Sequence, residues 1–220
     1  MKLFQTLFQY ILRITKEKNI DESHGVSHAM NVLINAHRSF QIEVKTHPRL
    51  QVHEKVIYVA AVLHDMCDKK YTDEEEGIRQ LDSILYDDDC DDSQEQSTYR
   101  LTEEDVEAIK NIIRTMSYSK VKVNGFPDLG KYQRAYHIVR ESDLLAAYDF
   151  DRAMIYHLYK NNRTMDEAYE NSIDLFQERV FCHKKMGLLT LEFSLQQHPI
   201  LKQQARDRIS HWKTLLGKEF

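Results

Sequence analysis

A chain of 220 residues has room for one sizeable hydrophobic core, and 42% apolar against 30% charged residues is the balance of a soluble globular protein. A formal net charge of -5 argues against nucleic-acid binding through a broad basic face, although a locally basic pocket on an acidic protein still suits a small anion. Three cysteines (Cys67, Cys90 and Cys182) without CxxC spacing make no disulfide framework; they fit reduced thiols, and a cytoplasmic setting is expected.

Apolar periodicity predicts helices near 2–18, 24–40, 49–66, 73–85, 102–116, 129–148, 150–161, 165–186 and 199–216. In the first, Phe4, Leu7, Phe8, Ile11, Leu12 and Ile14 recur at helical spacing. Glutamines, a tyrosine and an arginine interrupt the run, so it is an amphipathic helix rather than a signal-peptide core. A helix lying on a membrane surface shares that pattern. No stretch reaches the ~20 apolar residues of a membrane span, and no membrane partner is expected.

Thr102 stands three residues before Asp105, with Glu103 and Glu104 between them, as at a capped helix start, and Pro199 suits a first helical position. "YDDDCDDSQEQS", 86–97, lacks the central glycine and final glutamate of an EF-hand and is expected to be a solvated loop. "VKVNGFPDLG", 121–130, is expected to be a turn-rich crossing. Six glycines and three prolines leave little material for tight hairpins, and neither β-alternation nor an internal repeat is visible. The expected fold is all-α, in a single domain spanning 1–220.

The apolar run "AAVL" ends abruptly in "HDMCDKKY", which places His64 beside Asp65 and puts Asp68, Lys69 and Lys70 just behind. Buried charge is costly unless it is paired or bound to a metal. In "ESHGVSHAMNV", His24 and His28 lie four apart, one helical turn, and share a face if a helix begins near Ser23. In "IVRESDLLAAYD", Asp143 is wedged into an apolar face. Each feature alone has a plain explanation: a hydrogen-bonded histidine, an ion pair of Asp143 with Arg140 or Arg152, a chance dipeptide. Together, two imidazoles and two carboxylates form a mixed nitrogen and oxygen set suited to Mn²⁺, Fe²⁺, Co²⁺, Ni²⁺ or Zn²⁺. Successive residues of a helix diverge by about 100°, so His64 and Asp65 can converge only where the helix ends.

The order His28, His64, Asp65, Asp143 resembles the signature of the HD superfamily of metal-dependent phosphohydrolases. "SHGVSHAMNV" is similar to its first block, and "AAVLHDMCDKKY" to the "ALLHDxxDxKY" block of a single-domain subgroup. "IVRESDLLAAYD" is similar to that subgroup's "xxDADxLDA" block, from which Ser142 and Ala146 depart. The resemblance covers about 20–150, the motif core, and continues weakly through the C-terminal helices, 150–220, which are expected to pack on it.

The resemblance implies that His28, His64, Asp65 and Asp143 hold one divalent metal ion (Mn, Fe, Co, Ni, Mg or Zn, with Mn favoured). It implies Asp68 as general acid or base, Lys70 as a phosphate contact, and His24 as a group meeting substrate phosphate or a metal-bound water. Lys69 occupies a variable position, Cys67 is a packing residue, and Ser117 to Lys120 resembles a pocket-lining loop. His137 is the one histidine between Asp65 and Asp143; at roughly 240° around the helix from Asp143 it points elsewhere, which favours a single metal. The implied activity is hydrolysis of a nucleotide or related small phosphate ester, favouring nucleoside triphosphate to monophosphate plus pyrophosphate by metal-activated water. The alternatives are a nucleoside monophosphate phosphatase, a non-catalytic metal- or nucleotide-binding helical module, and a helical interaction protein in which the motif is coincidental. Tyr169, Phe176, Phe181 and Trp212 read first as packing aromatics and second as a base-stacking platform. Twelve tyrosines and nine phenylalanines suffice for a homodimer interface without locating one.

Overall fold

The computed structural model describes residues 2–71, 73–86 and 101–218. Among them the chain forms ten α-helices and no strand. These are α1 (Lys2–Glu17), α2 (Val26–Thr46), α3 (Glu54–Leu63), α4 (Glu74–Leu85), α5 (Glu103–Thr115), α6 (Tyr118–Asn124), α7 (Gln133–Ala146), α8 (Phe150–Tyr159), α9 (Met165–Glu178) and α10 (Glu192–Leu215). Short 3-10 turns lie at Glu22–His24, Pro48–His53, Gly130–Tyr132 and Val180–Cys182. No helix among the described residues is long and apolar enough to cross a membrane.

The centre is α3, whose sequence is apolar on every face. Val56, Ile57 and Val59 through Leu63 are all buried, as a helix without a polar side requires. α1, α2, α5 and α7 surround it. Leu7, Ile11 and Ile14 of α1 join this core, so the amphipathic N-terminal helix spends its apolar face on protein. A second cluster holds Phe150, Met154, Tyr169, Phe176 and Ala205 of α8, α9 and α10, while α10 also reaches α2 and α7.

Thr102 caps α5 as expected: its Oγ accepts the Asp105 N–H at 3.1 Å and Asp105 accepts the Thr102 N–H in return. Other boundaries differ from the sequence reading. α2 starts at Val26 rather than near Ser23, because Asp21 caps a 3-10 turn that ends at Gly25. It also continues past 40 to Thr46, since Phe40, Glu43 and Val44 keep facing inward and Arg134 neutralises the buried Glu43. The segment expected as a loop from Ser117 is helical: Ser117 precedes α6, and the Asn-Gly pair is its end, with Gly125 at φ +73°. α9 stops at Glu178 instead of running to 186. Pro199 lies inside α10 rather than at its start; it removes one main-chain hydrogen bond, but buried Phe193 and Ser194 already anchor the helix ahead of it. The acidic stretch from residue 87 onward, Cys90 included, lies outside the described residues.

Candidate metal centre

α2, the end of α3 and α7 set two carboxylates against a pair of imidazoles. His28 sits in the first turn of α2 and is buried against the core. α3 ends at Leu63, and the chain turns through His64 to Cys67. That departure lets two successive side chains aim the same way. His28 Nε2 lies 3.1 Å from His64 Nε2, 3.2 Å from Asp65 Oδ2 and 3.3 Å from Asp143 Oδ1. His64 Nε2 lies 3.3 Å from Asp65 Oδ2 and 3.7 Å from Asp143 Oδ1. The imidazole side chains are 1% and 3% exposed and the carboxylates 15% and 23%, so the cluster opens to solvent on its acidic side.

Donors about 2.0–2.2 Å from a shared cation, at tetrahedral or octahedral angles, stand about 3–3.5 Å apart. The five distances from the imidazoles, 3.1–3.7 Å, lie near that spacing, and the donor atoms of His28, His64 and Asp65 all lie within 4.8 Å of one another, a group that does not extend to Asp143. His64 Nδ1 lies 2.9 Å from the Ala61 carbonyl, which can only accept, so Nδ1 carries a proton and Nε2 is the nitrogen turned to the cluster, where a cation would take the place of its proton. Asp65 Oδ2 is buried with no hydrogen-bond partner, an orphan that a cation would satisfy. His28, His64 and Asp65 therefore form a buried group that can hold a metal ion.

Electrostatics point the same way. Burial by itself would lower the pKa of His64, but Asp65 and Asp143 override it and push it up to about 10. Burial opposes ionisation of Asp65 and Asp143; the histidines around them outweigh it, and both carboxyls lie well below the usual range. The two anions call for positive charge in their midst.

A rim of polar groups continues from this cluster. A ring nitrogen of His24 and carboxylate oxygens of Asp65 and Asp68 lie within 4.8 Å of one another. Lys70 Nζ is 3.4 Å from His24 Nε2 and 3.5 Å from Asp68 Oδ2, and it sits over the Tyr156 ring at 5.4 Å. Burial lowers the pKa of His24 to about 4; Arg152 and Lys70 add to this against Asp65. All seven residues singled out from the sequence thus come together.

Other expectations divide. His137 contacts Gln133 and Arg140, away from the cluster. Cys67 is buried, and burial pushes its thiol up to about 12, as suits a packing residue. Lys120 pairs with Glu74. Arg140 pairs with Glu141 rather than Asp143, and Arg152 Nη2 lies 4.0 Å from Asp65 Oδ2, so neither supplies the simple ion pair weighed for Asp143. Phe176 is core and Trp212 donates to Asp151 at 2.6 Å, which places these aromatics in packing. Sequence reasoning gave no role to Asp21, Ser23, Tyr71 and Tyr156, and weighed Arg152 only as an ion-pair partner of Asp143. Asp21 and Ser23 carried a legible signal, an Asp two residues before a Ser at a turn start, whereas Arg152 and Tyr156 join only through the packing of α8 on the first 3-10 turn.

Comparison of the chain with family models, curated proteins and solved structures returns no match.

Proposed function

We propose that this chain is an HD-type metal-dependent phosphohydrolase acting on a nucleotide or related small phosphate ester. The favoured reaction takes nucleoside triphosphate and water to nucleoside monophosphate and pyrophosphate. One observation carries the reading: the carboxylates of positions 65 and 143 both stand against the paired imidazoles of positions 28 and 64, with Asp68 and Lys70 on the rim. Their order along the chain is that of the HD signature they resemble. Cys67 and Cys182 are unpaired among the described residues, in keeping with the reduced thiols and cytoplasmic setting expected.

His28, His64, Asp65 and Asp143 would hold one divalent cation, Mn²⁺ first, which when bound supplies positive charge against a phosphoryl oxygen and acidifies water. Asp68 Oδ1 accepts the Lys70 N–H at 2.9 Å, which orients the carboxylate to take a proton from the attacking water. The Lys70 ammonium contacts phosphate oxygens, and Arg152 adds positive charge beside Asp65. Water adds to the α-phosphorus, the bond to the bridging oxygen breaks, and pyrophosphate leaves with its electron pair.

The test is metal content of protein purified without added metal, together with product analysis on a mixed nucleotide panel with Mn²⁺. Near-stoichiometric metal and pyrophosphate release, both lost in Asp65→Ala, are expected. Orthophosphate in place of pyrophosphate would identify a nucleoside monophosphate phosphatase. Metal without turnover would identify a binding module, and no metal even after Mn²⁺ addition would leave His64 and Asp65 as a helix end only.

A further inference from the structure

Asp21 touches none of the four central donors, yet three protons converge on its carboxylate. Oδ1 accepts the Ser23 N–H at 2.9 Å and the Ser23 hydroxyl, and Oδ2 accepts the Tyr71 hydroxyl at 2.9 Å. Both hydroxyl oxygens also touch one further atom, Nδ1 of His24, at 2.7 Å from Ser23 and 3.1 Å from Tyr71. Each hydroxyl has a single proton, and an ionised carboxylate can only accept, so both protons are already committed to Asp21. A lone pair on Nδ1 would face two oxygen lone pairs. Only an N–H there satisfies both contacts.

The other end of the ring gives the same answer. Lys70 Nζ, which can only donate, stands 3.4 Å from His24 Nε2, and a neutral ring protonated at Nδ1 offers its lone pair there. Arg152 Nε donates to the Ser23 carbonyl and so holds the turn that carries the pair.

We infer that Asp21 is a positioning residue which, through the Ser23 and Tyr71 hydroxyls, locks His24 in the Nδ1–H tautomer and presents Nε2 as an acceptor to Lys70 on the rim of the metal centre. A phosphate oxygen without a proton gives such an Nε2 nothing to accept. His24 therefore aims the Lys70 ammonium rather than gripping phosphate itself. Its value to turnover rests on the phosphohydrolase reading, whereas the tautomer does not.

The test uses the full chain, ¹⁵N-labelled at histidine, with Mg²⁺ present as a diamagnetic ion. Long-range ¹H–¹⁵N correlations report which ring nitrogen carries the proton, and His24→Gln identifies the His24 signals. The native protein is expected to show a pyrrole-type shift at Nδ1 and a pyridine-type shift at Nε2. In Asp21→Asn the amide must donate to one hydroxyl, freeing that hydroxyl's proton for Nδ1, and the pattern moves toward Nε2–H. Ser23→Ala/Tyr71→Phe keeps Asp21 but removes both hydroxyls and is expected to weaken the preference as well. An Nε2–H pattern in the native protein, or an unmoved pattern in both variants, overturns the inference. These readouts need no turnover, so they stand or fall separately from pyrophosphate release.

Discussion

Replacing Asp65 by Asn keeps the side-chain volume and removes an anionic donor whose Oδ2 stands 3.2 Å from His28 Nε2 and 3.3 Å from His64 Nε2. A cation that binds only the folded chain stabilises it by RT ln(1 + [M]/Kd), about 2.7 kcal/mol at 100 times Kd. For a chain of this length each kcal/mol moves Tm by about 2–4 °C, so the native protein should gain about 5–10 °C over its chelator-treated form. If the substitution weakens affinity about 100-fold, the same metal concentration equals the new Kd and contributes only about 0.4 kcal/mol, a shift of about 1 °C. The assay is a thermal melt followed by circular dichroism at stepped Mn²⁺, with chelator as the zero. An equal metal-dependent shift in native protein and Asp65→Asn would refute the assignment of Asp65 as a donor. No shift in either would refute the site.

Glu141 is buried and accepts Arg140 at 2.9 Å, the Thr190 N–H and hydroxyl at 2.9 and 2.7 Å, and the Leu191 N–H at 3.1 Å. Glu141→Ala strands the buried guanidinium and should cost about 3–5 kcal/mol in urea denaturation; a loss below about 1 kcal/mol would contradict that reading. Burial pushes the pKa of His183 down to about 3, and between that value and 6.5 the unfolded chain binds the extra proton. Its contribution is complete above pH 6.5 and is lost as pH falls toward 3, so His183→Leu should flatten the acid limb of stability by about 1.4 kcal/mol per pH unit. An unchanged slope would show that His183 does not titrate as described. Ile11→Ala, in the face of α1 that joins the core, should cost about 2–5 kcal/mol by the same denaturation assay, whereas a membrane-surface face would lose almost nothing.

Much of this fold was legible because its helices are amphipathic at one period. The all-apolar run of α3 announced a central helix, and Thr102 with Asp105 announced a start. The failures share a cause: local signals were given one meaning where packing chose another. Asn124-Gly125 read as a turn and is the end of α6; Pro199 read as a helix start and lies within α10. In both places buried neighbours, Val121 before the glycine and Phe193 before the proline, commit the backbone to helix regardless of the punctuation.

The site divides by a different rule. Groups next to an apolar run were visible, because a charge there needs a reason: His64 and Asp65 after α3, and Asp143 within α7. Groups that act on those groups were not. Asp21 lies in an exposed-looking polar stretch, and Tyr71 closes a motif whose acid and lysine already draw notice, yet the two meet over one imidazole. Arg152 comes from α8, 129 residues beyond the serine carbonyl it holds. A helix end can advertise a ligand through local pattern alone. The proton on His24 depends on where two hydroxyls send theirs, and that is decided by a carboxylate 50 residues before one of them.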